Sequence, residues 1–78
     1  MIEKIGEIIK YHRKKSGLGR DELAKLAGVG KTVVYDLEHG KETIRLATLK
    51  KVSTALGITI TLESKLMKSY TEEQNAKG

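Results

Sequence analysis

Residues 31–39, KTVVYDLEH, interleave Lys31, Thr32, Tyr35, Asp36 and His39 with the apolar Val34 and Leu37. A helix turns about 100° per residue, so here Val34 and Leu37 would face inward and Thr32, Tyr35, Asp36 and His39 outward. Lys31 would lie on the flank near its start. Ammonium, hydroxyl, phenol and carboxylate groups on one exposed face can hydrogen-bond to base edges, and a helix docked by its apolar side fits a major groove. An ordinary solvated face of a small helical bundle has the same pattern, and spacing alone does not separate the two. Catalysis fits the inventory poorly. The chain has no cysteine and only two histidines, and it shows no paired acid/base constellation, no nucleophile context and no metal-ligand cluster. A non-enzyme without metal or cofactor is expected.

Such a face needs a scaffold, and residues 20–40, RDELAKLAGVGKTVVYDLEHG, supply one. Leu23, Ala24, Leu26 and Ala27 recur at helical spacing. Asp21 and Glu22 in the first turn suit the helix dipole. Gly28 can take the left-handed conformation that ends a helix. Val29 plugs the corner, and a second helix is expected over about 31–39, closed by Gly40. Ala24 is small where two helices must cross closely. Together these features predict a helix-turn-helix. The run Gly28-Val29-Gly30-Lys31-Thr32 imitates the end of a phosphate-binding loop, but that motif needs a glycine where Lys25 stands and a preceding strand.

The remaining chain reads as support. Residues 2–15 form a first helix with Ile2, Ile5, Ile8, Ile9 and His12 in one stripe, ended by Ser16-Gly17, and Leu18 tucks under the next helix. Arg13 borders that stripe and Glu38 borders the Val34/Leu37 face, which predicts an ion pair between Arg13 and Glu38. Residues 41–45 connect to a fourth helix carrying Leu46, Leu49, Val52, Ala55 and Leu56, closed by Gly57. Ile58, Thr59, Ile60, Thr61, Leu62 and Glu63 alternate apolar and polar, the signature of a strand. A lone strand needs a partner for its backbone. Antiparallel pairing with a second copy across a two-fold axis is one solution, and an extended segment lying on the helices is the other. Residues 64–78 read as a flexible, largely polar tail in which Leu66, Met67 and Tyr70 extend a short helix at most. The fold class expected is all-α: a compact four-helix domain over 1–63 with one dimerisation strand, 58–63.

Composition bounds the partners. Seventy-eight residues make one domain with a small core of Leu, Ile, Val and Ala, since Phe and Trp are absent. Net charge is +5, which favours an anionic partner or simply a soluble surface. Arg20, Lys31, Lys41 and Arg45 flank the helix-turn-helix ends. No apolar run approaches a membrane span and no secretory pattern opens the chain, so a cytoplasmic protein is expected.

With Ala24, Gly28, Val34 and Leu37 in place, amid LGRDELAKLAGV and DLEHGK, the chain resembles the lambda-repressor/Cro-like helix-turn-helix family over about residues 5–57. Family members carry an arginine and a glutamate matching Arg13 and Glu38. Residues 38–62, EHGKETIRLATLKKVSTALGITITL, are similar to the EnGKxTxRLxTLxxVxxALGLxLxL pattern of HipB-type antitoxins. That resemblance implies a C-terminal strand paired across a homodimer, a toxin kinase as partner, and repression of the complex's own operon. Gly19 and Gly30 stand where the family usually places Ser or Thr, so a phosphate contact at Gly30 falls to backbone N–H groups. By the same resemblance Lys31, Thr32 and Asp36 occupy base-reading positions.

The expected mechanism is a dimer on a palindromic operator. Lys31 would read guanine, Thr32 a thymine methyl or a phosphate, and Asp36 would accept from cytosine or orient Lys31. Tyr35 would sit at the groove edge, and Arg20, Gly30, Lys41 and Arg45 would hold phosphates. A stand-alone repressor, and an interaction module that has lost DNA binding, are the alternatives.

Overall fold

The computed structural model describes the backbone of residues 2–77 and the side chains of residues 4–76. Five helices follow one another: α1 Ile2–Lys15, α2 Arg20–Ala27, α3 Lys31–Glu38, α4 Leu46–Ala55 and α5 Met67–Lys77. The two middle helices start and stop where apolar spacing and glycine placement put them. At the α2 end Gly28 adopts φ 72, and the Val29 N–H reaches back to the Ala24 carbonyl at 3.0 Å. That bond satisfies a carbonyl the helix would otherwise leave open. The same closure recurs after α1, α3 and α4, where Gly17, Gly40 and Gly57 also take positive φ.

Ile9, Leu23, Ala24, Val34, Leu37 and Val52 form the buried core. A fully buried side chain of the Leu, Ile or Val type contributes roughly 1.5–3 kcal/mol, so this small cluster holds α1–α4 together. In it α3 packs against α1 and α2, and α4 packs against α2. The α1 stripe is rotated from its expected line. Ile9 and Gly6 are buried while Ile8 stays exposed, and Ile2 lies outside the described side chains. Gly6 explains the rotation: a methyl group there would lie 2.6 Å from the Leu37 carbonyl oxygen and 2.8 Å from that of Glu38. The α1 backbone therefore rests directly on the end of α3, and the contact line runs through Gly6, Ile9 and Arg13. Leu26 likewise departs from expectation. It is 64% exposed, because Leu23, Ala24 and Ala27 already fill the inward side of α2.

The C-terminal segment is built differently from the body. Ile58, Thr59, Ile60, Thr61 and Leu62 form no strand within the chain. Ile58 N–H bonds to the Ser53 carbonyl as part of the α4 closure, and among the described residues no second extended segment exists to complete a ladder. Residues 64–78, expected to be a flexible, largely polar tail, hold α5 over Met67–Lys77, a fifth helix among the described residues. Met, Lys, Glu, Gln and Ala are good helix formers, and no Gly or Pro interrupts Met67–Lys77. Its apolar residues make no continuous stripe, which is why periodicity missed it. No described helix is long and apolar enough to cross a membrane.

Candidate nucleic-acid interface

The outward face of α3 has the predicted composition. Lys31, Thr32, Tyr35 and His39 are exposed and Asp36 is half-buried, while Val34, Leu37 and Glu38 are buried beneath them. Gly30 precedes α3 in extended conformation with no side-chain cap, so the first N–H groups of the helix are left to solvent or to an anion.

Beneath that face lies an ion cluster. Arg13 Nε donates to Glu38 Oε2 at 2.6 Å and its Nη2 to Oε1 at 3.0 Å. Arg13 Nη1 donates to the Leu18 carbonyl at 2.9 Å. The predicted Arg13–Glu38 pair is thus present, two-pronged, with the Glu38 side chain wholly shielded from water. A third member was not foreseen: Arg20 Nε donates to Glu38 Oε1 at 3.1 Å. Burial pushes the Glu38 carboxyl up, but hydrogen bonds and charge from Arg13, and then from Arg20, outweigh it and hold the group below its ordinary value. Arg13 is raised in turn, chiefly by its hydrogen bonds to Glu38. One carboxylate on α3 therefore ties together α1 and the start of α2.

The candidate DNA groups are arranged in two pairs. Lys31 Nζ lies 3.2 Å from Asp21 Oδ1, with both side chains largely exposed. Lys41 Nζ lies 3.3 Å from Asp36 Oδ2. Asp36 accordingly orients Lys41 and not Lys31, a correction that follows from reach: Lys31 at the start of α3 faces the first turn of α2, whereas Asp36, a turn further on, faces the loop after α3. Arg45, the N-cap of α4, lines a shallow cleft with Asp36 and Lys41. Arg20 sits apart from that cleft, against Glu38 and over the Tyr35 ring, its Cζ 5.4 Å from the ring centroid. Its sequence position at the head of α2 carried no sign of that link. Gly6 did carry one, since a glycine inside an otherwise regular helix marks a close approach.

Comparison with known proteins agrees with this geometry. The family described as helix-turn-helix matches residues 9–62. The HTH-type transcriptional regulator y4mF of Sinorhizobium fredii is 41% identical over 56 residues, covering 72% of this chain and 74% of that protein. The immunity repressor protein of Bacillus phage phi105 is 33% identical over 76 residues, covering 94% of this chain but 53% of the phage protein. The HTH-type transcriptional regulator SinR of Bacillus subtilis is 37% identical over 57 residues, covering 72% of this chain and 51% of that protein. Among solved structures, one titled MDT Protein superposes with a TM-score of 0.75 at 23% identity, over 83% of this chain and 92% of that one, a likeness of fold.

Proposed function

The chain belongs to the helix-turn-helix family of DNA-binding transcriptional regulators, and from that premise we propose that it is a sequence-specific repressor that lays α3 in the major groove. The observation that carries this reading is the polar outer face of a helix whose inner face is locked by Val34, Leu37 and the Glu38 cluster. Lys31 reads guanine O6/N7, exchanging Asp21 for the base, and an exposed pair of this kind is worth only about 0–1 kcal/mol to break. Thr32 meets a thymine methyl or a phosphate, Tyr35 stands at the groove edge, and Asp36 accepts from cytosine N4 while holding Lys41. Arg20, Lys41, Arg45 and the backbone at Gly30 hold phosphates.

Binding of labelled mixed-sequence duplex across a salt series tests the reading. A steep log-linear loss of affinity with salt is expected. No binding to any duplex overturns it in favour of an interaction module, the reading that Gly19, Gly30 and Asp36 would then support. In the same series Lys41→Ala should weaken all sequences alike and flatten the slope by about one. A changed sequence preference would remove Lys41 from the phosphate group.

The repressor acts as a homodimer on a palindromic operator, with residues 58–62 of two copies paired antiparallel and the two α3 helices about 34 Å apart. Support comes from the backbone of residues 59–62, unpaired among the described residues, and from the apolar groove of about 350 Å³ that the segment forms with Ile5, Ile8 and Leu49. Sedimentation equilibrium of the full chain beside one ending at Gly57 should show a dimer and a monomer; two monomers overturn the seam. The likeness of residues 38–62 to HipB-type antitoxins supports a further role as the autoregulating antitoxin of a toxin kinase, bound through α4 or the C-terminal segment. Co-expression with the product of a neighbouring gene tests that role, and a chain that then purifies alone counts against it.

A further inference from the structure

Tyr35 is the aromatic group of the α3 face, and 49% of it is open to solvent. It is nevertheless held by two other side chains. The His39 ring stacks on it with centroids 3.9 Å apart and planes 20° apart. His39 Nδ1 donates to the Tyr35 carbonyl at 2.7 Å, which fixes the imidazole one helical turn above the phenol. The Arg20 guanidinium lies over the same ring, 5.4 Å from its centroid. Arg20 is tied in turn, because its Nε bonds to the Glu38 carboxylate that Arg13 also grips. The chain of contacts thus runs from the buried Arg13–Glu38 pair, through Arg20, to an aromatic ring at the surface.

An exposed tyrosine without such neighbours moves among its staggered rotamers and must be ordered on binding. A ring already held loses little entropy and meets its target in one pose, so it discriminates better. Its chemistry is two-part, an apolar edge beside a hydroxyl. In the major groove thymine offers the matching pair, a C5 methyl next to the O4 acceptor. We infer that Arg20 and His39 are positioning residues that hold Tyr35 as a fixed reader of one thymine in each half-site, with Glu38 aiming Arg20 from below. This rests on the DNA-reading role proposed above and adds a base identity and the residues that enforce it.

The test is selection from random duplexes of about 30 base pairs, long enough for two half-sites one turn apart, using the full chain and its His39→Ala, His39→Phe and Arg20→Lys variants. The wild type should select thymine at one position per half-site. His39→Ala and Arg20→Lys should relax that position by about tenfold, within the usual cost of a single mismatch. His39→Phe, which keeps a stacking ring, should retain the preference, and replacing the selected thymine by uracil should weaken the wild type more than His39→Ala. Melting temperature, measured alongside, should be unchanged in His39→Ala, which separates positioning from folding. Identical preferences in the wild type, His39→Ala and Arg20→Lys overturn the inference while leaving DNA binding intact. Failure of every protein to bind any duplex overturns the DNA-reading role and this inference with it. Iodide quenching of Tyr35 fluorescence in a Tyr11→Phe/Tyr70→Phe chain reads the hold without DNA. It should rise in His39→Ala, and unchanged quenching also overturns the inference.

Discussion

The α1–α4 body and the segment after Gly57 follow opposite rules. In the body each critical group has a partner within the chain: Glu38 has two arginines, Val34 and Leu37 face Ile9 and Leu23, and α1 rests on the end of α3. After Gly57, Ile58 still packs on the core, and beyond it most apolar groups lie open to solvent. Leu62 is 77% and Leu66 75% exposed, and α5 makes no extensive contact with the other helices. A small core can satisfy only what reaches it, and whatever lies beyond must find its partner elsewhere or remain in water. The difference teaches where stability and assembly reside: the body should fold and read by itself, and the arm should matter through a second molecule.

The largest effect that could break this contrast is expected at Glu38. Glu38→Ala leaves Arg13 buried without its counter-charge and should cost about 3–5 kcal/mol, read as a loss of melting temperature. Replacing Arg13 and Glu38 together by Met and Leu should recover much of that loss, since the penalty is the orphaned charge and not the missing pair. Gly6→Ala comes next. Ala is the better helix former by about 1 kcal/mol, yet its methyl would meet the Leu37 carbonyl at 2.6 Å. Net destabilisation of about 1–3 kcal/mol by urea unfolding is expected, and a stabilised variant would mean that α1 does not rest on α3.

Acid sharpens the comparison. The folded Glu38 carboxyl is held below its ordinary value of 4.5, so the stability it contributes is fully present above that pH. It is lost as pH falls through the lowered folded value. The wild type should therefore lose melting temperature on acidification below about pH 4.5 more steeply than the Met/Leu double replacement, which lacks the carboxyl. The smallest effect should lie in the arm. Leu66→Ser with Tyr70→Ser should change the stability of the body by less than about 0.5 kcal/mol, as surface substitutions usually do. A larger loss in dilute solution would show that α5 packs on the body after all.

Much of the body was legible in one dimension. Ala24, Gly28, Val34 and Leu37 marked the two crossing helices, and Gly17, Gly28, Gly40 and Gly57 marked the ends of α1, α2, α3 and α4, because helical spacing and left-handed closure are local properties. Arg13 and Glu38 could be paired from sequence, since each borders an apolar stripe and a charge at a core edge needs its opposite. The outward set of Lys31, Thr32, Tyr35 and Asp36 followed from the same wheel that placed Val34 inward. The arm was less legible. Alternation at 58–62 describes which way side chains point and says nothing of whether a partner strand is present, and α5 has helix-forming composition without an apolar face to announce it.

By itself, then, the sequence determined the α1–α4 helices, their stops and the polar outward face of α3, all consequences of interactions reaching a few residues along the chain. Only the tertiary structure decided that Arg20 joins Glu38 and covers Tyr35, that Lys31 turns to Asp21 while Asp36 takes Lys41, and that Gly6 is the point where α1 meets α3. Those choices depend on how the helices cross, which sets the distance between residues far apart in sequence and so decides which charges can meet.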